Sequence, residues 1–141
     1  MKIYLASPFF DSVENSYVFI AETILRNRGF DVFSPRENEV RDTDKVGTID
    51  WAYDTFINDV DAIREADCVV MLYAGNYSDS GTAWECGYAY ARKIPIICVH
   101  VHDNISNLMV HCSARANISL DDLKTYDFEK MPEKIYEGAM T

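Results

Sequence analysis

The chain has 141 residues, enough for one domain with a sizeable core and too few for two comfortable ones. Its net charge is −10 and its Lys and Arg residues are not clustered, so a phosphate backbone is repelled and no nucleic acid polymer is expected as a partner. No apolar run reaches the roughly 18 residues of a membrane span, and four scattered cysteines with no CxxC pair fit reduced thiols in a cytoplasm.

In chain order, Lys2–Ala6 is apolar and short, as in a buried strand, and this explains the N-terminal run better than a signal peptide does. Asp11 or Ser12 can cap a helix running to about Arg28, with Val13, Tyr17, Ile20, Ile24 and Leu25 near helical spacing and Gly29 as its stop. Residues 30–33, "FDVF", form a second strand. Residues 34–48 are polar and non-periodic, and a connection of that length is often functional. Ile49–Glu65 is a helix with Trp51, Phe56, Val60 and Ile63 on its apolar side. Cys68–Tyr73 is continuously apolar, as a central parallel strand should be. A turn-rich loop follows, and Asp79 or Ser80 caps a helix to about Arg92. Residues 94–101 form the fourth strand, with Pro95 tolerable only at its start. A short helix over 107–114, a short strand near Ile118 and a helix over 132–137 complete the expected elements.

Strands alternating with helices imply an α/β fold: a doubly wound, parallel, five-stranded sheet with helices on both faces, in a single domain spanning 1–141. Ligands in such folds bind beyond the carboxyl ends of the strands, near the point where strand order reverses. That rule selects "SPFF" after strand one, the 34–48 loop, and "AGNYSDSG" after strand three.

Within "DSGTAWECGYAYA" the carboxylate of Glu85 stands one to two turns into its helix, among small and aromatic residues. A helix N-terminus favours the ionised acid by about 0.3–1 kcal/mol. Ala83, Gly87 and Ala91 recur every four residues and predict a smooth face for close approach to the sheet. Asp59 and Asp61, two apart on a helix, point in different directions, so at most one faces a given pocket. Asp79 is a natural N-cap. Cys98, His100 and His102 alternate along a strand and share a face, but they lack a fourth ligand, and no metal site is expected. There is no GxGxxG, no GxxxxGK[ST] and no GxSxG.

The pieces "IYLASPFF", "NDVDAIREADCVVMLYAG", "DSGTAWECGYAYA", "NLM" and "YEGAM", in that order, give the chain its character. Through them it resembles the nucleoside 2-deoxyribosyltransferase family over nearly its whole length. The resemblance implies a flavodoxin-like sheet and exchange of the base on a 2'-deoxyribonucleoside, without a cofactor. It implies that Glu85 is the nucleophile, positioned by Tyr4. Asp59 would bind deoxyribose hydroxyls, Asp79 would face the nucleobase, and Phe10 would lie near the base. Asn107, with Met109 beside it, would serve the sugar site of a neighbouring subunit, so the partners are 2'-deoxyribonucleosides, free nucleobases and further copies of the chain, in a homo-oligomer built from dimers. Two departures affect base preference. Where some relatives carry a base-contacting Gln, "PRENEV" offers Glu39, and the tail "YEGAMT" lacks a terminal aromatic.

The chemistry that follows is that of retaining glycosidases. A carboxylate attacks C1' opposite the departing base, and a second base resolves the covalent deoxyribosyl-enzyme with retention. Asp79 is the candidate general acid for the leaving ring nitrogen. The alternative is a 2'-deoxynucleoside 5'-monophosphate N-glycosidase, which needs phosphate donors; "HCSAR" supplies Ser113 and Arg115. A non-enzymatic flavodoxin-like binding module is the third reading.

Overall fold

The structure is a computed structural model that describes residues 1–39, 45–75, 79–102 and 105–141. Parts of the loops after strands two, three and four, at 40–44, 76–78 and 103–104, lie outside the described residues.

Five strands, β1 (Lys2–Ala6), β2 (Asp31–Phe33), β3 (Cys68–Tyr73), β4 (Ile96–His100) and β5 (Ala116–Ser119), form one all-parallel sheet in the order β2-β1-β3-β4-β5. The chain leaves β1 in one direction to reach β2 and returns past it to β3, so strand order reverses at β1 and β3. Their carboxyl ends therefore flank the crevice in which such folds bind ligands.

Alternation along the strands assigns each side chain to a layer. Ile3 and Leu5 of β1 and Cys68, Val70 and Leu72 of β3 pack with Val18, Ala21 and Leu25 of α1 (Ser12–Asn27) and with Tyr126 and Phe128. Tyr4 and Ala6 of β1 and Val69, Met71 and Tyr73 of β3 face the other way. They pack with Ile63 of α2 (Ile49–Glu65) and with Cys86 and Ala89 of α3 (Ser80–Ala91). A fourth helix, α4 (Leu108–Ser113), lies beside α3 after Asn107 caps it. No helix among the described residues is long and apolar enough to cross a membrane.

The helix ends follow their local chemistry. Asp11 and Glu14 close a reciprocal capping box at the start of α1. At its other end Gly29 adopts φ +84°, where a side chain would be strained, and the Phe30 amide reaches back to the Leu25 carbonyl. The buried face of α1 is Val18, Ala21, Glu22 and Leu25, whereas Val13 and Ile20, expected to point inward, are exposed.

The expected helix over 132–137 does not form. Lys134 instead makes a parallel bridge with Ala116, and its carbonyl accepts the Asn117 amide at 2.8 Å. β5 would otherwise leave an open sheet edge, and an extended segment satisfies backbone groups there that a short helix cannot.

Candidate active site

The inward alternation of β1 places Tyr4 under α3, fully buried and stacked at 5.6 Å on Phe33. Its hydroxyl donates to Glu85 Oε1 at 2.6 Å. Glu85 reaches this position because Cys86 and Ala89 seat α3 on the sheet, which turns the preceding residue toward α2. Between α2 and α3 lies a cleft of about 330 Å³ lined by Phe56, Asp59, Val60, Ile63, Gly81, Trp84 and Glu85.

The electrostatics of the cleft are those of two acids removed from water. Burial pushes the Glu85 carboxyl up to about 7; the Tyr4 hydrogen bond opposes this, and the charges of Asp59 and Asp79 add to it. Burial alone raises Asp59 to about 6, and its Oδ1 is buried with no hydrogen-bond partner among the described residues. An unsatisfied acceptor of this kind is costly unless something polar enters the cleft. The Tyr4 hydroxyl is held neutral, first by burial and then by Glu85 and Asp59, so it acts as a fixed donor.

Asp79 caps α3, its Oδ2 accepting from the Thr82 amide at 2.9 Å and the Thr82 hydroxyl at 3.1 Å. A Cβ on Gly81 would come within 2.9 Å of that same oxygen, so glycine is what allows Asp79 to sit there. Asp61 pairs on the surface with Arg64 at 2.8 Å, leaving Asp59 as the acid of that pair that faces the cleft.

The structure thus brings Glu85, Tyr4 and Asp59 together, with Asp79 close enough for its charge to act on Glu85. It does not bring the other candidates into the same cleft. Phe10 is 75% exposed and stacked on Phe9, and Glu39 is exposed at the border of the undescribed residues. Asn107 and Met109 line a different groove of about 500 Å³ on the α4 side of α3, together with Ala83, Gly87 and Tyr90. This also corrects the expected role of the small-residue face. Gly87 is exposed and a Cβ there would meet nothing within 4 Å, so Ala83, Gly87 and Ala91 do not seat the helix on the sheet. A register of four from Ala83 misses Cys86 and Ala89, whose size and position decide the packing.

Sequence reasoning missed Phe56, Trp84 and Gly81 as cleft residues. Helical spacing puts Phe56 on the apolar side of α2, yet it is half exposed and its ring lies 5.4 Å from that of Trp84. The signal was present: Phe56 precedes Asp59 by three residues and Gly81 precedes Glu85 by four, so each shares a helix face with a proposed site acid. Among the strand histidines, Cys98 and His100 do share a face, 3.6 Å apart, but His102 lies beyond β4 against Tyr17. No group of three potential ligands suited to a metal occurs among the described residues.

A model of the family described as nucleoside 2-deoxyribosyltransferase matches residues 3–128. The solved 2-deoxyribosyltransferase of the psychrotolerant bacterium Bacillus psychrosaccharolyticus is 39% identical, with a TM-score of 0.91 over 96% of this chain and 99% of that one. The nucleoside deoxyribosyltransferase of Lactobacillus johnsonii is 29% identical over 143 aligned positions, covering 99% of this chain and 89% of its own. The CMP N-glycosidase of Clostridium botulinum shares the fold at 20% identity, with a TM-score of 0.56 over 84% of this chain and 87% of that one.

Proposed function

The chain belongs to the nucleoside 2-deoxyribosyltransferase family and is an enzyme of that class, and from that premise we propose that it transfers 2-deoxyribose between nucleobases through a covalent ester on Glu85. The observation that carries this reading is the 2.6 Å bond from the buried Tyr4 hydroxyl to Glu85, at the wall of a cleft that also holds Asp59. A carboxylate held by one fixed donor has its second oxygen available for attack. The Glu85 oxygen bonds to C1' as the C1'–N bond breaks, and its charge stabilises the oxocarbenium-like transition state. Asp79 protonates the leaving base, and the base keeps the electron pair of the broken bond. A second base then attacks C1', the ester bond breaks back to the Glu85 carboxylate, and Asp79 recovers a proton. Two inversions give retention.

In this reading Asp59 accepts from deoxyribose hydroxyls, which supplies the partner its buried Oδ1 lacks among the described residues. Phe10 and Glu39 serve the base. Asn107 and Met109 complete the cleft of a neighbouring subunit, a role supported by their position on the far side of α3 from their own Glu85. The 5'-monophosphate alternative draws less support, because its proposed donors are partly engaged within the chain. The Ser113 hydroxyl donates to the Val110 carbonyl at 2.7 Å, and Arg115 Nε donates to the Met131 carbonyl at 2.8 Å.

Incubation with deoxyinosine and adenine tests the reaction. Formation of deoxyadenosine, together with a deoxyribosyl adduct on Glu85 detected by mass spectrometry, is the expected result. Hydrolysis confined to the 5'-monophosphate, or an adduct on another residue, would overturn it.

A further inference from the structure

We propose that Tyr136 is a positioning residue for Asn107, acting from the C-terminal segment; this rests on the shared-site reading above. Four rings from four parts of the fold meet beneath Asn107. The Tyr73 hydroxyl, at the end of β3, accepts the Asn107 amide at 2.8 Å. The Tyr73 ring packs edge-on against His100 of β4 at 5.4 Å. His100 stacks on Tyr136 at 4.6 Å and 14°, and Tyr136 also meets His111 of α4 at 4.7 Å and 41°. Tyr136 therefore touches both the strand that precedes Asn107 and the helix that follows it.

The chain then folds back over the ring. A Cβ on Gly138 would overlap the Tyr136 side chain, so a residue with a side chain there would push the ring out of its place. The last residues run beside Asn107 and bond to the backbone on both of its sides. The Ser106 amide donates to the Ala139 carbonyl at 2.9 Å, the Thr141 amide to the Ser106 carbonyl at 2.9 Å, and the Leu108 amide to Thr141 O at 3.0 Å. The Asn107 side chain accepts the Met109 amide at 3.0 Å.

α4 needs this support. It has six residues, too few to hold a helix on propensity alone. Its first two side chains, Leu108 and Met109, are largely exposed, and only Val110, against the core, and the buried His111 fasten it by packing. The ladder to residues 139–141, which continue directly from Tyr136, ties down the segment that presents Asn107. Tyr136 belongs to neither core cluster, so its removal should loosen this segment without unfolding the sheet.

The test is subunit complementation with Tyr136→Ala and Gly138→Ala, the second displacing the ring without deleting it. Each variant alone should lose about 10- to 100-fold in kcat/KM, the range expected for a misplaced contact group. The loss should fall mainly on KM, with the pH dependence set by Glu85 unchanged. At substrate below KM, mixing either variant with Glu85→Ala should recover activity, because a hybrid contains one site with an intact Glu85 and a correctly presented Asn107 from the other subunit. Mixing either with Asn107→Ala should recover none. The reference pair is Glu85→Ala with Asn107→Ala. Recovery in that pair but not with Tyr136→Ala and Gly138→Ala overturns the positioning role alone. Failure of the reference pair overturns the shared site and the inference with it. Unchanged kcat/KM in both variants also overturns the inference, and should Tyr136→Ala fail to fold by circular dichroism, Gly138→Ala decides.

Discussion

Glu85 has to be an anion to attack and lies where burial favours its neutral form. Because burial pushes its carboxyl up to about 7, kcat/KM should rise about tenfold per pH unit on the acidic limb, below that value. The Tyr4 hydrogen bond lowers the Glu85 pKa, so Tyr4→Phe should move this limb to higher pH. The Asp59 charge raises it, so Asp59→Asn should move the limb to lower pH. Limbs that stay in place in both variants would show that another group is titrating. The same burial has a cost in stability. The folded state holds the Glu85 proton to higher pH than the unfolded chain, so it binds more protons between about 4.5 and 7. Stability therefore declines as pH rises across that window. Glu85→Gln should abolish turnover yet be more stable than the wild type at pH 8 by up to about 3 kcal/mol, and so melt higher, with the gap closing below pH 5. Thermal melts at the two pH values check this, and equal melting temperatures at pH 8 would refute it.

Whole elements carry the site by being fastened at few points. The 3-10 turn at Pro35–Glu37, which leads toward Glu39, is held to α1 by Arg36, whose partner Glu22 is only 2% exposed, and by the neighbouring Arg26–Glu37 pair. Asn58 of α2 holds the other side, donating to the Asn38 carbonyl at 3.1 Å. Removing one member of a buried pair leaves the other charge stranded, so Arg36→Ala should cost about 3–5 kcal/mol in denaturant unfolding. A loss below 1 kcal/mol would show that the pair is only superficial. In α3 the opposite change is expected. Gly87 is helical and exposed, and a methyl group there would meet nothing within 4 Å, so Gly87→Ala should stabilise the fold by about 1 kcal/mol. Any destabilisation of the dissociated chain would contradict that geometry. The 3.6-residue period located α1 and α3 but misjudged which residues face inward, because Glu22 of α1 is buried through an ion pair with a residue 14 positions away.

At the scale of the molecule, one chain leaves much apolar surface uncovered. Phe19, Ile49, Tyr53, Ile57 and Met109 are all more than half exposed, and Ile49, Tyr53 and Ile57, four apart along α2, share one face of it. Closed symmetry would make the donation of Asn107 reciprocal. Sedimentation at assay concentration should therefore give a dimer or a multiple of one, and dilution below the dissociation constant should lose activity faster than it loses helical signal. A fully active monomer would refute the assembly.

By itself, the sequence determined the alternating strands and helices and the parallel sheet, and through its resemblance to the family it implied that Tyr4 positions Glu85. These rest on local periodicity and on an ordered set of short motifs, both of which are written along the chain. Only the tertiary structure decided that Glu85 and Asp59 share one cleft while Asn107 and Met109 lie across α3 in another. The same holds for the tail, where Tyr136 meets His100 and His111 instead of lying on a helix. The reason is physical. A residue's layer follows from spacing along its own element, but its partner on another element depends on how far that element rotates to bury its face. That rotation is set by packing among Cys86, Ala89 and the sheet, and by hydrogen bonds between segments some thirty residues apart.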